Sequence, residues 1–339
     1  MITVCIVRLS ALGDVLMLVP LVRALQDTKH YRITWVISRP AYDLVANLDD
    51  VEFIVIEKPR NFLDLLSIRK IFKQRSFDVL LATQASFSAN ILYPLIKSQR
   101  KIGYDSFRAK DGHWLFVRET IMPGNDHTLD GFLKFAYMLG VQKPISPRWD
   151  LPLASQDLLW AQQYTATLGS TFIIVNPAAS KLERSWLPER YVQLIKALQK
   201  RFTLPIVLTG GPGDYDRNLA NQILSHVHCF DLVGKTNLQQ LLALISYAQL
   251  VICPDTGPSH MATAVETPVI ALHAVTSAAV SGPYHCQHLA VDCYDIAVSE
   301  ILGKSSAPWG MHIHGKQTMN LITVAQILQK IDEFCLIYK

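Results

Sequence analysis

Residues 250–272, LVICPDTGPSHMATAVETPVIAL, run from an apolar segment through a turn and a helical segment into a second apolar segment. Residues 250–253 and 268–272 are short and bounded by turn residues, as buried parallel strands are. Pro254 to Pro258 carries the turn chemistry, and 259–265 has helical spacing. A strand–helix–strand unit leaves little choice of fold, because its helix serves as a crossover between parallel strands. At the turn stand Asp255, Thr256, Gly257, Ser259 and His260. They lie beyond a strand's carboxyl end and at a helix N-terminus, where unpaired backbone N–H groups and the helix dipole favour an anion. The stretch reads as a site for a nucleotide diphosphate.

The same alternation runs through the chain. Residues 2–7 form a β-branched apolar run, Ser10 to Asp14 a turn, and 15–25 a helix with Pro20 inside it, where a hydrogen bond should be lost. Strands are predicted at 32–37, 51–56 and 79–82, with helices at 41–47 and 62–74. After a Pro-bearing connection from Pro144 to Pro152 and a helix at 155–168, strands are predicted at 172–175, 205–209, 229–232, 250–253 and 268–272. Helices at 188–201, 214–224 and 238–247 separate them. Residues 303–320 lack periodicity and read as a loop before a last helix at 322–334. Two α/β halves with parallel sheets follow from this order, and ligands in such sheets bind beyond the carboxyl ends of the strands.

The 339 residues suit two domains with separate cores, and 50% hydrophobic against 18% charged residues excludes a disordered chain. A net charge of +4 is too mild to argue for nucleic acid and fits anionic substrates or an anionic membrane surface. The six cysteines show neither C-x-x-C nor metal-ligand spacing and read as reduced thiols of a cytoplasmic protein. Arg8 and Asp14 interrupt the apolar N-terminus, so no export signal is expected, and no uncharged run is long enough to span a bilayer.

Several turns carry candidate chemistry. Asp14 reads either as a helix cap or as a general base aimed from a strand's end, and Ser10 is open in the same way. Ser180, Lys181 and Arg184 lie in the loop before Pro188 and either grip a pyrophosphate or form a solvated basic loop. Thr209-Gly-Gly-Pro-Gly-Asp214 is a glycine-rich turn without the G-K-[ST] of a P-loop. Asp214 there either accepts ribose hydroxyls or caps a helix, and Thr236, in the turn 234–238, has the same two readings. His312 and His314 are expected to form no metal set with Cys or carboxylates, and no metal is expected. The first turn lacks G-x-G-x-x-G, which disfavours a dehydrogenase.

Arg8-Leu-Ser-Ala-Leu-Gly-Asp14, Arg184-Ser-Trp-Leu-Pro188, Gly210-Gly-Pro-Gly-Asp214 and Asp255-Thr-Gly-Pro-Ser-His260 together resemble the ADP-heptose:lipopolysaccharide heptosyltransferases, glycosyltransferase family 9. The resemblance extends to Thr318-Met-Asn-Leu-Ile322. It implies a GT-B fold, two facing Rossmann-like α/β domains around an interdomain cleft. Residues 1–155 would bind the acceptor, 156–320 the nucleotide-sugar, and 321–339 would form a C-terminal helix packing back toward the N-terminal domain.

It also implies inverting transfer without a metal or cofactor, with ADP-heptose as donor substrate and the lipid-linked inner core of lipopolysaccharide as acceptor. Asp14 matches the family's base; Asp255, Thr256, Gly257 and His260 match its donor-phosphate turn, and Asp214 its ribose-binding acid. Arg184 stands where the family usually has lysine, a role that Lys181 can share. Arg60, Arg100, Lys101 and Arg108, with Ser10, are candidates for the anionic acceptor, or else a solvated basic face. The apolar residues 91–96, leading into Lys97, Arg100 and Lys101, suggest peripheral contact with the cytoplasmic face of the inner membrane. A monomer with no nucleic-acid partner is expected. The competing readings are a nucleotide-sugar-binding protein without transfer, and a GT-B epimerase or transferase using another nucleotide.

Overall fold

The structure, a computed structural model, describes residues 1–315 and 317–337. The chain divides into two compact units, Met1–Pro152 and Leu153–Lys339. In the first, strands β1 (Ile2–Val7), β2 (Tyr31–Ile37), β3 (Val51–Val55), β4 (Ser76–Leu81), β5 (Lys97–Gly103) and β6 (Glu119–Thr120) alternate with helices. These are α1 (Leu12–Asp27), α2 (Arg39–Val45), α3 (Phe62–Phe72), α4 (Phe87–Asn90) and α5 (Thr128–Met138). All pairings are parallel, in the order β3-β2-β1-β4-β5-β6. Cys5, Val7, Val36 and Leu80 from the central strands, with Ala82 just past β4, meet Phe72, Leu92 and Tyr93 in one core.

Pro20 shows how the fold repairs a local defect. Without an N–H it cannot bond the Leu16 carbonyl one turn back. The indole Nε1 of Trp149 donates to that carbonyl instead, at 2.8 Å, and both Trp149 and the helix segment are buried. Arg23, one turn further along α1, donates through Nε to the Trp149 carbonyl at 3.0 Å and fixes the indole in place.

The second unit repeats the plan with β7 (Ile173–Val175), β8 (Ile206–Leu208), β9 (Phe230–Asp231), β10 (Leu250–Pro254), β11 (Val269–His273) and β12 (Val291–Asp292). Its helices are α6 (Ser155–Leu168), α7 (Pro188–Arg201), α8 (Asp214–Leu224), α9 (Leu238–Tyr247), α10 (Gly257–Ala264), α11 (Ala278–Ser281), α12 (Tyr294–Leu302) and α13 (Val324–Ile337). The order is β12-β11-β10-β7-β8-β9, again all parallel. Counted within the unit, this is the same 3-2-1-4-5-6 winding as the first sheet. The chain is thus α/β throughout, with two parallel six-stranded Rossmann-like sheets.

The last helix, α13, belongs to the second unit, where it packs on α7 and on β11 and β12. Ile327, Ile331 and Phe334, spaced four and three residues apart, supply its buried stripe. Among the described residues no helix is long and apolar enough to cross a membrane. The apolar stretch 91–96 is no membrane-facing surface, because Leu92, Tyr93 and Ile96 are consumed by the first unit's core. The basic run that follows it is strand β5.

Candidate functional site

In a sheet wound 3-2-1-4-5-6 the connections leave in opposite directions at the junction of its first and fourth strands, opening a crevice at their carboxyl ends. In the first unit that junction is β1 beside β4, and in the second β7 beside β10. Asp14 follows β1; Ser180, Lys181 and Arg184 follow β7, and Asp255 to His260 follow β10. Topology alone brings all of these residues to the two junctions.

At the first junction Asp14 is the third residue of α1, not its cap. Its carboxylate accepts the Ala11 N–H at 3.2 Å and pairs with the guanidinium of Arg8, both through Oδ2. Among the described residues Oδ1 has no such partner, and the side chain is 30% exposed. Arg8 is buried, donates to the Thr83 carbonyl at 2.6 Å and lies over the Phe132 ring at 5.3 Å. Burial penalises the Arg8 charge, but the charge and hydrogen bond of Asp14 outweigh it and hold the pKa above the ordinary arginine value. Gln84, just past β4, accepts the Leu9 N–H at 2.7 Å and so ties the two loops together. Ser10 is half-buried, its N–H 3.4 Å from the same Gln84 oxygen.

At the second junction the buried Asp255 carboxylate accepts Arg184 Nη1 at 3.0 Å and the Thr276 hydroxyl at 2.7 Å. Burial acts to raise the Asp255 pKa, but His273, Arg184, His260 and the Thr276 hydroxyl together hold it below the usual carboxylate range. Both contacts fall on Oδ2 of this buried carboxylate. Asp255 thereby aims Arg184, whose Nη2 donates to Ser180 Oγ at 2.9 Å. The Arg184 side chain is 16% exposed, and its buried Nε has no partner. Thr256 caps α10 and Gly257 opens it, both half-buried, so the first N–H groups of this helix accompany Arg184. His260 is buried in the helix's first turn, within the electrostatic reach of Asp255. Lys181 is exposed.

The glycine-rich turn after β8 is braced by Asp216, which accepts the Gly211 N–H at 2.7 Å, while Asp214 is exposed at the start of α8. Gly234 donates to the Gly210 carbonyl at 3.0 Å with φ +71°, and a Cβ there would lie 3.2 Å from the Pro212 backbone. That close approach requires glycine and sets half-buried Thr236 near the same turn. Asn176 joins β7 to β8 by accepting the Thr209 hydroxyl at 3.2 Å.

The basic acceptor candidates fare differently. Arg108 is buried against Asp105 at 2.7 Å and Asp126 at 3.2 Å, and Arg100 makes a two-pronged pair with Glu119 at 2.9 and 2.6 Å. Lys101 donates to the Tyr93 carbonyl at 2.7 Å. All three are engaged by their own unit, and Arg60 remains exposed beside the start of α3. The expectation for His312 and His314 also changes: Glu183 stands with them, its carboxylate 2.9 Å from His314 Nδ1. The spacing of more than a hundred residues hid that meeting. Reading residue by residue likewise missed Arg8, Gln84 and Thr276, for which the only signal was a polar residue just past a strand's end.

Residues 65–299 match the family model for glycosyltransferase family 9 (heptosyltransferase). The chain belongs to that family. It is 33% identical to the lipopolysaccharide core heptosyltransferase OpsX of Haemophilus influenzae, over 98% of this chain and 96% of that protein. In fold it is similar to a family 9 glycosyl transferase from Veillonella parvula, with a TM-score of 0.79 and 18% identity over 99% of this chain and 97% of the other. The Escherichia coli heptosyltransferase WaaC solved with ADP gives 0.72 and 19% over 98% of each. The family 9 chain is a glycosyltransferase on the GT-B fold, and the turns after β7 and β10 belong to its second Rossmann-like unit.

Proposed function

We propose that this glycosyltransferase moves a heptosyl group from ADP-heptose to the inner core of lipopolysaccharide, with inversion at the anomeric carbon. The identity with OpsX across nearly both whole chains carries the reading of substrate class. Asp14 Oδ1 takes the proton of the acceptor hydroxyl as that oxygen bonds to the anomeric carbon and the bond to ADP breaks. Arg8 holds Asp14 in place through Oδ2 and leaves the other oxygen for the proton. Negative charge grows on the departing β-phosphate, where Arg184, Ser180 and the N-terminus of α10 meet it, with Lys181 adding charge from solvent. Fixed donors of this kind are worth about 3 kcal/mol each in the transition state. Thr236 and Asp214 flank the glycine-rich turn on which the nucleoside rests.

The acceptor is lipid-linked, so the reading includes peripheral contact with the cytoplasmic face of the inner membrane. Helix α3 supports it: Phe62 and Leu63 are each 70% exposed, beside exposed Arg60, Arg69 and Lys70. Mass spectrometry of heptose-free core acceptors incubated with ADP-heptose tests the function. The expected product is the acceptor plus one heptosyl residue; an acceptor that gains nothing, while ADP-heptose still binds, would leave a binding protein without transfer.

A further inference from the structure

We infer that Glu183, His312 and His314 form a site for a borderline divalent transition cation, of the Zn²⁺ or Ni²⁺ class, that clamps the segment after α12 to the turn after β7. The three side chains come from two pieces of chain that are each anchored separately. Ile313 is fully buried and its N–H donates to the Val275 carbonyl at 2.9 Å. Ile313 is turned into the core between them, and His312 and His314 stay outside it with their rings 6.0 Å apart. Glu183 sits in the single 3₁₀ turn Leu182–Arg184, held down by buried Trp186, whose indole donates to the Ile322 carbonyl at 3.1 Å.

The donor atoms of the three residues lie within 4.8 Å of one another, with the two imidazole rings 6.0 Å apart. Bonds of about 2.0–2.1 Å to a tetrahedral ion would place donor atoms about 3.3 Å apart. The widest pair must therefore close by about 1.5 Å, which side-chain rotation supplies because His314 is exposed and the other two half-buried. Two imidazoles and one carboxylate suit Zn²⁺, Ni²⁺ or Co²⁺ and not Mg²⁺ or Ca²⁺, which prefer all-oxygen shells. A fourth position stays open to water. The neighbouring cations Lys181 and Arg184, whose charge is felt at His312, oppose the ion and weaken the site. This inference stands apart from the heptosyl reading, since a chain without transferase activity would carry the same three ligands.

The test is calorimetric titration of the full, tag-free chain with Zn²⁺, alongside the visible spectrum of the Co²⁺ form. One ion per chain is expected, with a dissociation constant on the order of micromolar. Glu183→Gln and His314→Ala, both at accessible positions, should each weaken binding roughly tenfold or more, with unchanged circular dichroism. Lys181→Ala should tighten it, because only a repulsive charge is removed. Three results would overturn the assignment: no site tighter than millimolar, affinity unchanged in Glu183→Gln and His314→Ala, or a Co²⁺ spectrum dominated by thiolate charge transfer.

Discussion

Replacing Asp255 by asparagine isolates the carboxylate that aims Arg184. Asp255 is 5% exposed and accepts two hydrogen bonds, at 3.0 Å from Arg184 and 2.7 Å from Thr276. Removing one partner of a buried ion pair costs about 3–5 kcal/mol. Asparagine keeps one acceptor oxygen, and the 16% exposure of Arg184 lets its guanidinium recover some hydration, so about 2–4 kcal/mol is the expected loss. For a unit of this size that lowers its melting transition by roughly 5–12 °C. Thr276→Val, which leaves the Arg184 contact intact, should cost only about 1 kcal/mol. The double variant need not lose the sum, because residues 255 and 276 share the hydrogen bond that each single substitution weakens or removes. Differential scanning calorimetry at neutral pH reads all three, in a range where Asp255, its pKa depressed, contributes its full stabilisation. A melting point for Asp255→Asn within about 2 °C of the parent would refute the view that this buried pair organises the second junction.

Trp149→Phe keeps an aromatic ring but removes the Leu16 carbonyl's donor and part of a buried side chain, and should cost the first unit about 2–3 kcal/mol in urea unfolding. Arg217 grips Asp231 by two bonds and, with burial opposing and Lys235 assisting, holds its pKa well below the ordinary 3.8. A depressed carboxylate stabilises the fold above its unfolded pKa and loses that contribution as pH falls through the folded value. The parent should thus exceed Asp231→Asn by about 0.5–1 kcal/mol at pH 7, the pair being partly exposed, with the gap closing below about pH 4. Phe62→Ser with Leu63→Ser should reduce sedimentation with anionic liposomes without shifting the melting curve, since neither side chain is packed.

The alternation of apolar runs with helical spacing was enough to place ten of the strands' and helices' cores in the second unit to within a residue or two, because parallel strands buried on both faces read as unbroken β-branched segments. Strand β5 was illegible for the opposite reason: Lys-Ser-Gln-Arg-Lys-Ile-Gly offers neither an apolar run nor alternation, and pairing with β4 makes it a strand. The turns carrying Asp14, Arg184 and Asp255 were visible as local chemistry. Their partners were not, since Arg8 is recognised only once Thr83 and Phe132 surround it, and Thr276 only once β11 lies beside β10. Arg100, Lys101 and Arg108 look like a basic patch in sequence because the acids and carbonyls that engage them are set by tertiary pairing.

Steady-state turnover of ADP-heptose by Asp14→Asn, with ADP affinity measured on the same preparation, bears most directly on the proposed reaction. Asparagine matches the carboxylate in size and cannot take the acceptor proton, so turnover should fall by roughly 10²–10⁴ while ADP binds as before. Turnover within a few-fold of the parent would contradict Asp14 as the base, and an equal loss of ADP affinity would contradict the placement of the donor in the second unit.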